Sequence, residues 1–123
     1  MKWTPKQIEK YNRQKYISFL EKITKNLFKM FRDKTISQDI FTKRFFELKV
    51  QLNRLPEVVL SSQYHREMQN YIDNLYMELK GDFDLNSVRE LNMTNLNRIQ
   101  KLKNRASYRR DKHKGSVDRE VWN

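Results

Sequence analysis

Apolar residues recur at intervals of three and four along the first quarter of the chain, the spacing of one face of an α-helix. Thr4 and Gln7 match a capping box, and Pro5 suits the first helical position, where a missing N–H costs nothing. The pattern therefore predicts a helix from about residue 5 to residue 32. Its apolar stripe consists of Ile8, Phe19, Leu20, Ile23, Leu27, Met30 and Phe31.

Three further helical stripes follow, separated by signals that end a helix. Pro56 disfavours helical backbone at the residue before it, and Gly81 is typical of a position just past a helix end. The stripes are Phe41, Phe45, Leu48, Leu52 and Leu55; then Leu60, Tyr64, Met68, Tyr71, Leu75 and Leu79; then Leu85, Val88, Leu91, Leu96, Ile99, Leu102 and Ala106. The sequence thus predicts an all-α fold, a small single-domain bundle of about four helices over residues 1–114 that ends in a basic helix. A short C-terminal tail, residues 115–123, follows it.

Composition narrows the class of protein without naming a function. The 123 residues include only two Gly and two Pro, too few for a fold rich in hairpins, and no Cys, which excludes disulfides and thiolate chemistry. No apolar run approaches the length needed to cross a membrane, and the first twenty residues lack the apolar core of a signal peptide. We expect a soluble cytoplasmic protein that does not bind membranes.

Charge is the most unusual feature of the chain. It carries 26 Lys and Arg against 15 Asp and Glu, a formal net charge of +11. The excess lies at the two ends: residues 1–34 carry ten basic and three acidic side chains, and residues 98–114 carry eight and one. Residues 55–90 reverse the sign, with three basic and seven acidic side chains. Such a balance favours an acidic partner, most often nucleic acid.

Candidate metal chemistry is weak. Asp82, Asp84 and Asn86 copy the opening of a calcium-binding loop, but Ser87 stands where the loop needs Gly and Met93 where it needs a bidentate Glu. Acidic residues at this point are better explained as caps for the positive end of the following helix. We therefore expect neither a metal site nor another cofactor.

Catalytic chemistry is no better supported. The two histidines, His65 and His113, have no neighbour in the sequence that would complete a catalytic triad or a zinc pair. With glycine only at positions 81 and 115, a Gly-rich phosphate loop is impossible. The sequence predicts no catalytic residue and a protein that is not an enzyme.

Two helical faces carry cations of a single sign. At 100° per residue, each face spans about a quarter turn, and each includes one tyrosine whose ring could stack on a base. A merely solvated face usually mixes signs, so two such faces indicate a binding role. The candidate nucleic-acid-binding residues are Lys15, Lys22, Lys25, Lys29 and Arg32, with Tyr11 on the same arc, and Arg98, Lys101, Arg105, Tyr108, Arg109 and Lys112.

The interpretation favoured by these patterns is a small non-catalytic accessory or regulatory protein that binds RNA, DNA or a nucleoprotein. Two alternatives stay open. The small size and positive charge also suit a phage or mobile-element product that inhibits a nucleic-acid-handling enzyme, in the manner of an anti-CRISPR protein. The acidic third element (Glu57, Glu67, Asp73, Glu78, Asp82 and Asp84) would instead suit a protein-interaction module that docks on the basic groove of such an enzyme.

Overall fold

The computed structural model describes residues 3–104, which form a bundle of four α-helices without a strand in that range. The helices are α1 (Pro5–Arg32), α2 (Gln38–Asn53), α3 (Gln63–Leu79) and α4 (Leu85–Lys101), and a single 3₁₀ turn, Leu102–Asn104, continues from α4. The all-α prediction is confirmed.

Each helix begins at a polar cap that the sequence supplies. The cap side chain accepts a hydrogen bond from the backbone N–H three residues later, which satisfies one of the N–H groups that has no partner within the helix. At the start of α1 the bond is reciprocal, because the Thr4 N–H also donates to Gln7 Oε1 at 2.8 Å. The four caps are Thr4, Ser37, Ser62 and Asp84.

The core forms around α1, which packs against each of the other three helices, while α3 packs against both α2 and α4. Large rings fill its centre: Phe31, Phe41 and Phe45 are fully buried, and the Phe31 and Phe41 rings lie 4.9 Å apart. At 28 residues α1 is about 42 Å long, whereas α3 and α4, at 17 residues each, are about 26 Å. The first buried residue of α1 is Arg13, so its N-terminal two turns lie outside the core.

Within residues 3–104, two residues that the stripes place in the core are exposed instead; Ala106 lies outside the described residues. Ile8 is 44% exposed because it lies in the part of α1 that precedes Arg13. Leu91 is 64% exposed because its neighbour Asn92 faces the core, and adjacent helical residues point about 100° apart. The buried face of α4 therefore includes Arg89 and Asn92 alongside its aliphatic residues.

Arg89 joins the start of α4 to the end of α1. Its Nη1 donates to the carbonyl oxygens of Phe31 and of Asp33, the latter at 3.2 Å, and Nη2 donates to Asn86 Oδ1 at 3.3 Å. The last carbonyls of a helix lack partners within it and carry its negative partial charge. The buried guanidinium supplies hydrogen-bond donors to these carbonyls and a positive charge opposite their negative end. It thereby fixes the start of α4 beside the end of α1.

The turn after α1 has its own local bonds. Asp33 accepts hydrogen bonds from the N–H and the hydroxyl of Thr35, at 2.9 and 2.5 Å. These bonds, with a smaller contribution from the charge of Arg89, hold the pKa of the Asp33 carboxyl below its usual value. The carboxylate thus stays charged near the arginine that binds the end of α1.

Polar side chains also fix α2 against its neighbours. The Gln38 amide donates to the Phe83 carbonyl at 2.7 Å and accepts from the Leu85 N–H at 3.0 Å, which ties the start of α2 to the start of α4. Farther along α2, the ammonium of the largely buried Lys49 pairs with Asp73 of α3 at 2.9 Å. These bonds set the register in which the apolar faces meet.

Replacing Arg89 with Met should lower the free energy of unfolding by about 3 kcal/mol, because several buried carbonyls at the end of α1 lose a charged donor. The matched control is Arg98→Met on the same helix, where an exposed ion pair is removed at a cost of about 1 kcal/mol or less. Urea denaturation followed by circular dichroism measures both. Equal effects of the two substitutions would contradict the role given to Arg89.

Tyr16 should make stability fall at alkaline pH. Burial, with the negative charges of Asp73 and Glu57, raises the pKa of Tyr16 from 10.0 to about 12. Above pH 10 the unfolded chain loses this proton while the folded protein keeps it, so the stabilisation present below pH 10 is lost between about pH 10 and 12.

The Tyr16→Phe variant isolates this contribution from the titration of the lysines. The difference in unfolding free energy, wild type minus variant, should fall by about 2 kcal/mol across that window when urea titrations at pH 9 and above are compared. A difference that stays constant with pH would show that the phenol titrates equally in both states.

Candidate nucleic-acid interface

The cationic face of α1 comprises Lys15, Lys22, Lys25, Lys29 and Arg32, all exposed. The helix begins and ends where the sequence predicts, so the five side chains do share an arc of about 100° on one continuous helix. They lie opposite the buried stripe and extend over about 26 Å of helix axis. The result is a straight row of positively charged side chains, carried by one continuous helix, on the outside of the bundle.

Aromatic rings lie beneath three of these cations. The Lys15 ammonium lies 5.7 Å from the Tyr11 ring centroid, that of Lys22 lies 5.4 Å from Phe19, and the Arg32 guanidinium lies 5.0 Å from Phe28. In each pair the ring precedes the cation by three or four residues, the spacing at which helical side chains meet. Contact with a ring face favours the cation without neutralising its charge.

No acidic side chain lies on this arc, although Glu21 lies just beyond its edge. Within residues 3–104, none of its five cations forms an ion pair with a carboxylate, and the other side chains on the arc are Gln7, Tyr11, Gln14 and Ser18. The exposed face of α2 is different: it carries Lys43 and Arg44 together with Asp39 and Glu47, and Arg54 follows as the C-cap. A row of one sign produces a local potential that attracts an anionic polymer, whereas a mixed face does not.

The second predicted cationic face is described only at Arg98 and Lys101, and there, unlike on α1, one cation pairs with an acid. Arg98 is exposed but its Nη1 lies 3.0 Å from Glu67 Oε1 of α3, and Lys101 is exposed at the last residue of α4. From Leu102 the chain turns at three residues per turn, so an arc drawn at 100° per residue ends there. Arg105, Tyr108, Arg109 and Lys112 lie outside the described residues, and their binding role stays a prediction.

Three of the six acidic residues of the third element have partners within the bundle. Glu67 pairs with Arg98, and Asp73 pairs with Lys49. Asp84 caps α4 and accepts hydrogen bonds from the Ser87 N–H and hydroxyl at 3.1 and 2.6 Å, as the capping interpretation of this motif predicts. The acidic surface that a basic protein partner would meet is therefore smaller than the sequence implies.

The described residues line at least two shallow grooves on the bundle surface. One, of about 690 Å³, runs between the N-terminal turns of α1 and the α2–α3 linker and is lined by Ile8, Glu9, Val58 and Val59 among others. The other, of about 210 Å³, lies between α3 and α4 and is lined mainly by asparagines and glutamates. Neither brings together a nucleophile and a base.

Two titratable side chains, His65 and Tyr71, take part in polar contacts within the bundle. His65 is buried, and its Nδ1 lies 3.0 Å from the hydroxyl of Ser62, the cap of α3. Tyr71 donates to Asn92 Oδ1 at 2.6 Å, and burial raises the pKa of its phenol. Residues 3–104 contain no group of three or more His, Asp or Glu placed to hold a metal ion, and none of their helices is long and apolar enough to cross a membrane.

Sequence reasoning missed the rings that accompany the cationic face. The apolar periodicity places Phe19 in the core and gives Phe28 no role, although both precede a cation by three or four residues. Trp3 also belongs here: its ring lies 5.1 Å from that of Tyr11, nearly perpendicular to it. A search for ring–cation pairs at i to i+3 or i+4 would find the first two, while the Trp3 contact spans eight residues and needs the structure.

Comparison with protein-family models, with curated proteins and with solved structures gives no match to this chain.

Proposed function

We propose that this protein is a small, non-catalytic accessory or regulatory protein that binds nucleic acid, RNA or DNA, through the cationic face of α1. The observation that supports this best is the row of five exposed cations, about 26 Å long, with no carboxylate paired to it among residues 3–104. Phosphate backbones present regularly spaced negative charge, and binding them releases condensed counterions, which drives association.

The anchoring of α1 in the core also supports the proposal, because the helix is already ordered before a ligand binds. One face of the helix is anchored in the core by residues such as Ile17, Leu20 and Leu27, all fully buried. The cations on the other face are thus held in line before the ligand arrives, and less backbone ordering opposes binding.

Docking on a protein through the acidic third element is the weaker alternative. Glu67 and Asp73 already pair with arginine and lysine of this chain, so a basic partner would have to compete with those contacts. The cations of α1 face no such competition from the described residues. An inhibitor of a nucleic-acid-handling enzyme could still use the α1 face, either on the enzyme's nucleic acid or on an acidic surface of the enzyme.

Changing Lys22, Lys25 and Lys29 together to Gln should weaken nucleic-acid binding and flatten its salt dependence. Every phosphate that the protein no longer neutralises reduces the slope of log affinity against log salt by roughly 0.7 to 0.9, so the slope should fall by about 2 to 3 if all three lysines bind phosphates. Fluorescence anisotropy with a labelled oligonucleotide, repeated over a range of salt concentrations, measures the slope. Gln has nearly the helix propensity of Lys, so thermal melting should shift little.

The control removes the same charge elsewhere, by changing Lys43 and Arg44 of α2 and Arg54 at its C-cap to Gln. This variant should change affinity and slope much less than the α1 variant. Equal effects would mean that a diffuse positive charge attracts the polymer and that the α1 face is no specific site.

Two further results would overturn the proposal. One is a wild-type protein that binds neither RNA nor DNA but binds vesicles containing anionic lipid. The other is a protein partner that co-purifies and stays bound through a high-salt wash without nucleic acid, since phosphate contacts weaken steeply as salt rises.

A further inference from the structure

We infer that Trp3 and Tyr11 form a stacking site for an unpaired nucleobase, and hence that the preferred ligand is a single strand or a strand end rather than an uninterrupted duplex. This inference rests on the proposed function, because it places the bases of a strand whose phosphates follow the cationic face of α1.

The two rings form an aromatic surface that is about half exposed to solvent. Trp3 is 49% exposed and Tyr11 is 46% exposed. Their centroids lie 5.1 Å apart and their planes meet at 77°, so the rings support one another edge to face. Both lie in the N-terminal part of the chain that precedes the first buried residue, Arg13, and neither belongs to the core.

The surface is continuous with the cationic face. On the helix, Tyr11 projects in the same direction as Lys22 and Lys29, and the Lys15 ammonium lies 5.7 Å from its ring. Tyr11 and Lys15 are about 6 Å apart along the axis, and the remaining cations follow over about 26 Å. A strand lying along α1 would therefore have the rings at one end of its path and charges along the rest.

Aromatic rings beside a row of cations are what a single strand needs and a duplex does not use. Bases stack on rings whatever their sequence, but only where they are free of a partner strand and of their own neighbours. In a duplex the base faces are already covered, so only the phosphates would contact this surface. Charge alone binds both forms, and the rings add affinity for the unpaired one.

The test compares a single-stranded oligonucleotide of about 12 nucleotides with a duplex of equal length, in ribo and deoxyribo forms, at one salt concentration. Changing Trp3 and Tyr11 together to Leu should weaken single-strand binding at least about fivefold, the lower limit for one stacked base, and duplex binding less than about twofold. Changing both to Phe keeps two rings and should retain most of the single-strand affinity. Tryptophan fluorescence of a Trp122→Phe protein, in which Trp3 is the sole tryptophan, should be quenched by the single strand.

The outcomes separate the two proposals. If single-strand and duplex binding fall equally in the Leu variant, or if neither changes, the stacking site is wrong while phosphate binding by α1 stands. If the Phe variant is as weak as the Leu variant while melting is unchanged, the rings act other than by stacking, and the inference fails. If the wild-type protein binds no form of nucleic acid, the proposed function itself fails.

Discussion

The structure depends on α1 burying a single face against three other helices at once. Because that one helix supplies the central wall of the core, its apolar residues must lie within a limited arc, and they do from Tyr16 to Phe31. On the opposite arc the five cations are all exposed. A long helix at the centre of a bundle thus presents a long, straight row of residues to solvent. Core packing does not constrain the identity of these residues.

Charge is distributed in two different ways in this molecule. Inside and between helices, cations have defined partners: Arg89 binds the end of α1, Lys49 joins α2 to α3, and Arg98 meets Glu67. On the outer face of α1 the described cations contact rings and solvent rather than acids. Like charges so close together repel one another and oppose folding slightly, so stability does not explain why they stand in one row. This contrast within a single chain supports the proposed function more than the net charge of +11 does.

The N-terminal end of α1 is also free of core packing, and there the exposed side chains are aromatic as well as charged. Packing determines side chains from Arg13 onward, whereas Trp3, Ile8 and Tyr11 precede that point and remain about half exposed. A strand that follows the row of cations would reach these rings. Under the proposed function, the cationic face and the ring pair are two parts of one surface, one for phosphate and the other for an unpaired base.

The sequence by itself determined the helices and the α1 face. Caps, prolines and apolar periodicity are local signals, and the cap at Thr4 was predictable because a cap side chain bonds to a backbone N–H only three residues away. The arc of Lys15 to Arg32 was predictable for the same reason, since helical geometry depends only on spacing along the chain.

Only the tertiary structure decided how distant residues pair. It buried Arg89 and Asn92 where an aliphatic stripe including Leu91 was expected, joined Arg98 to Glu67, and showed that the acidic element is partly engaged within the bundle. Those pairings join residues far apart in the chain, and the partner of a charge at such a distance is set by which helices pack together, a property that no local pattern contains.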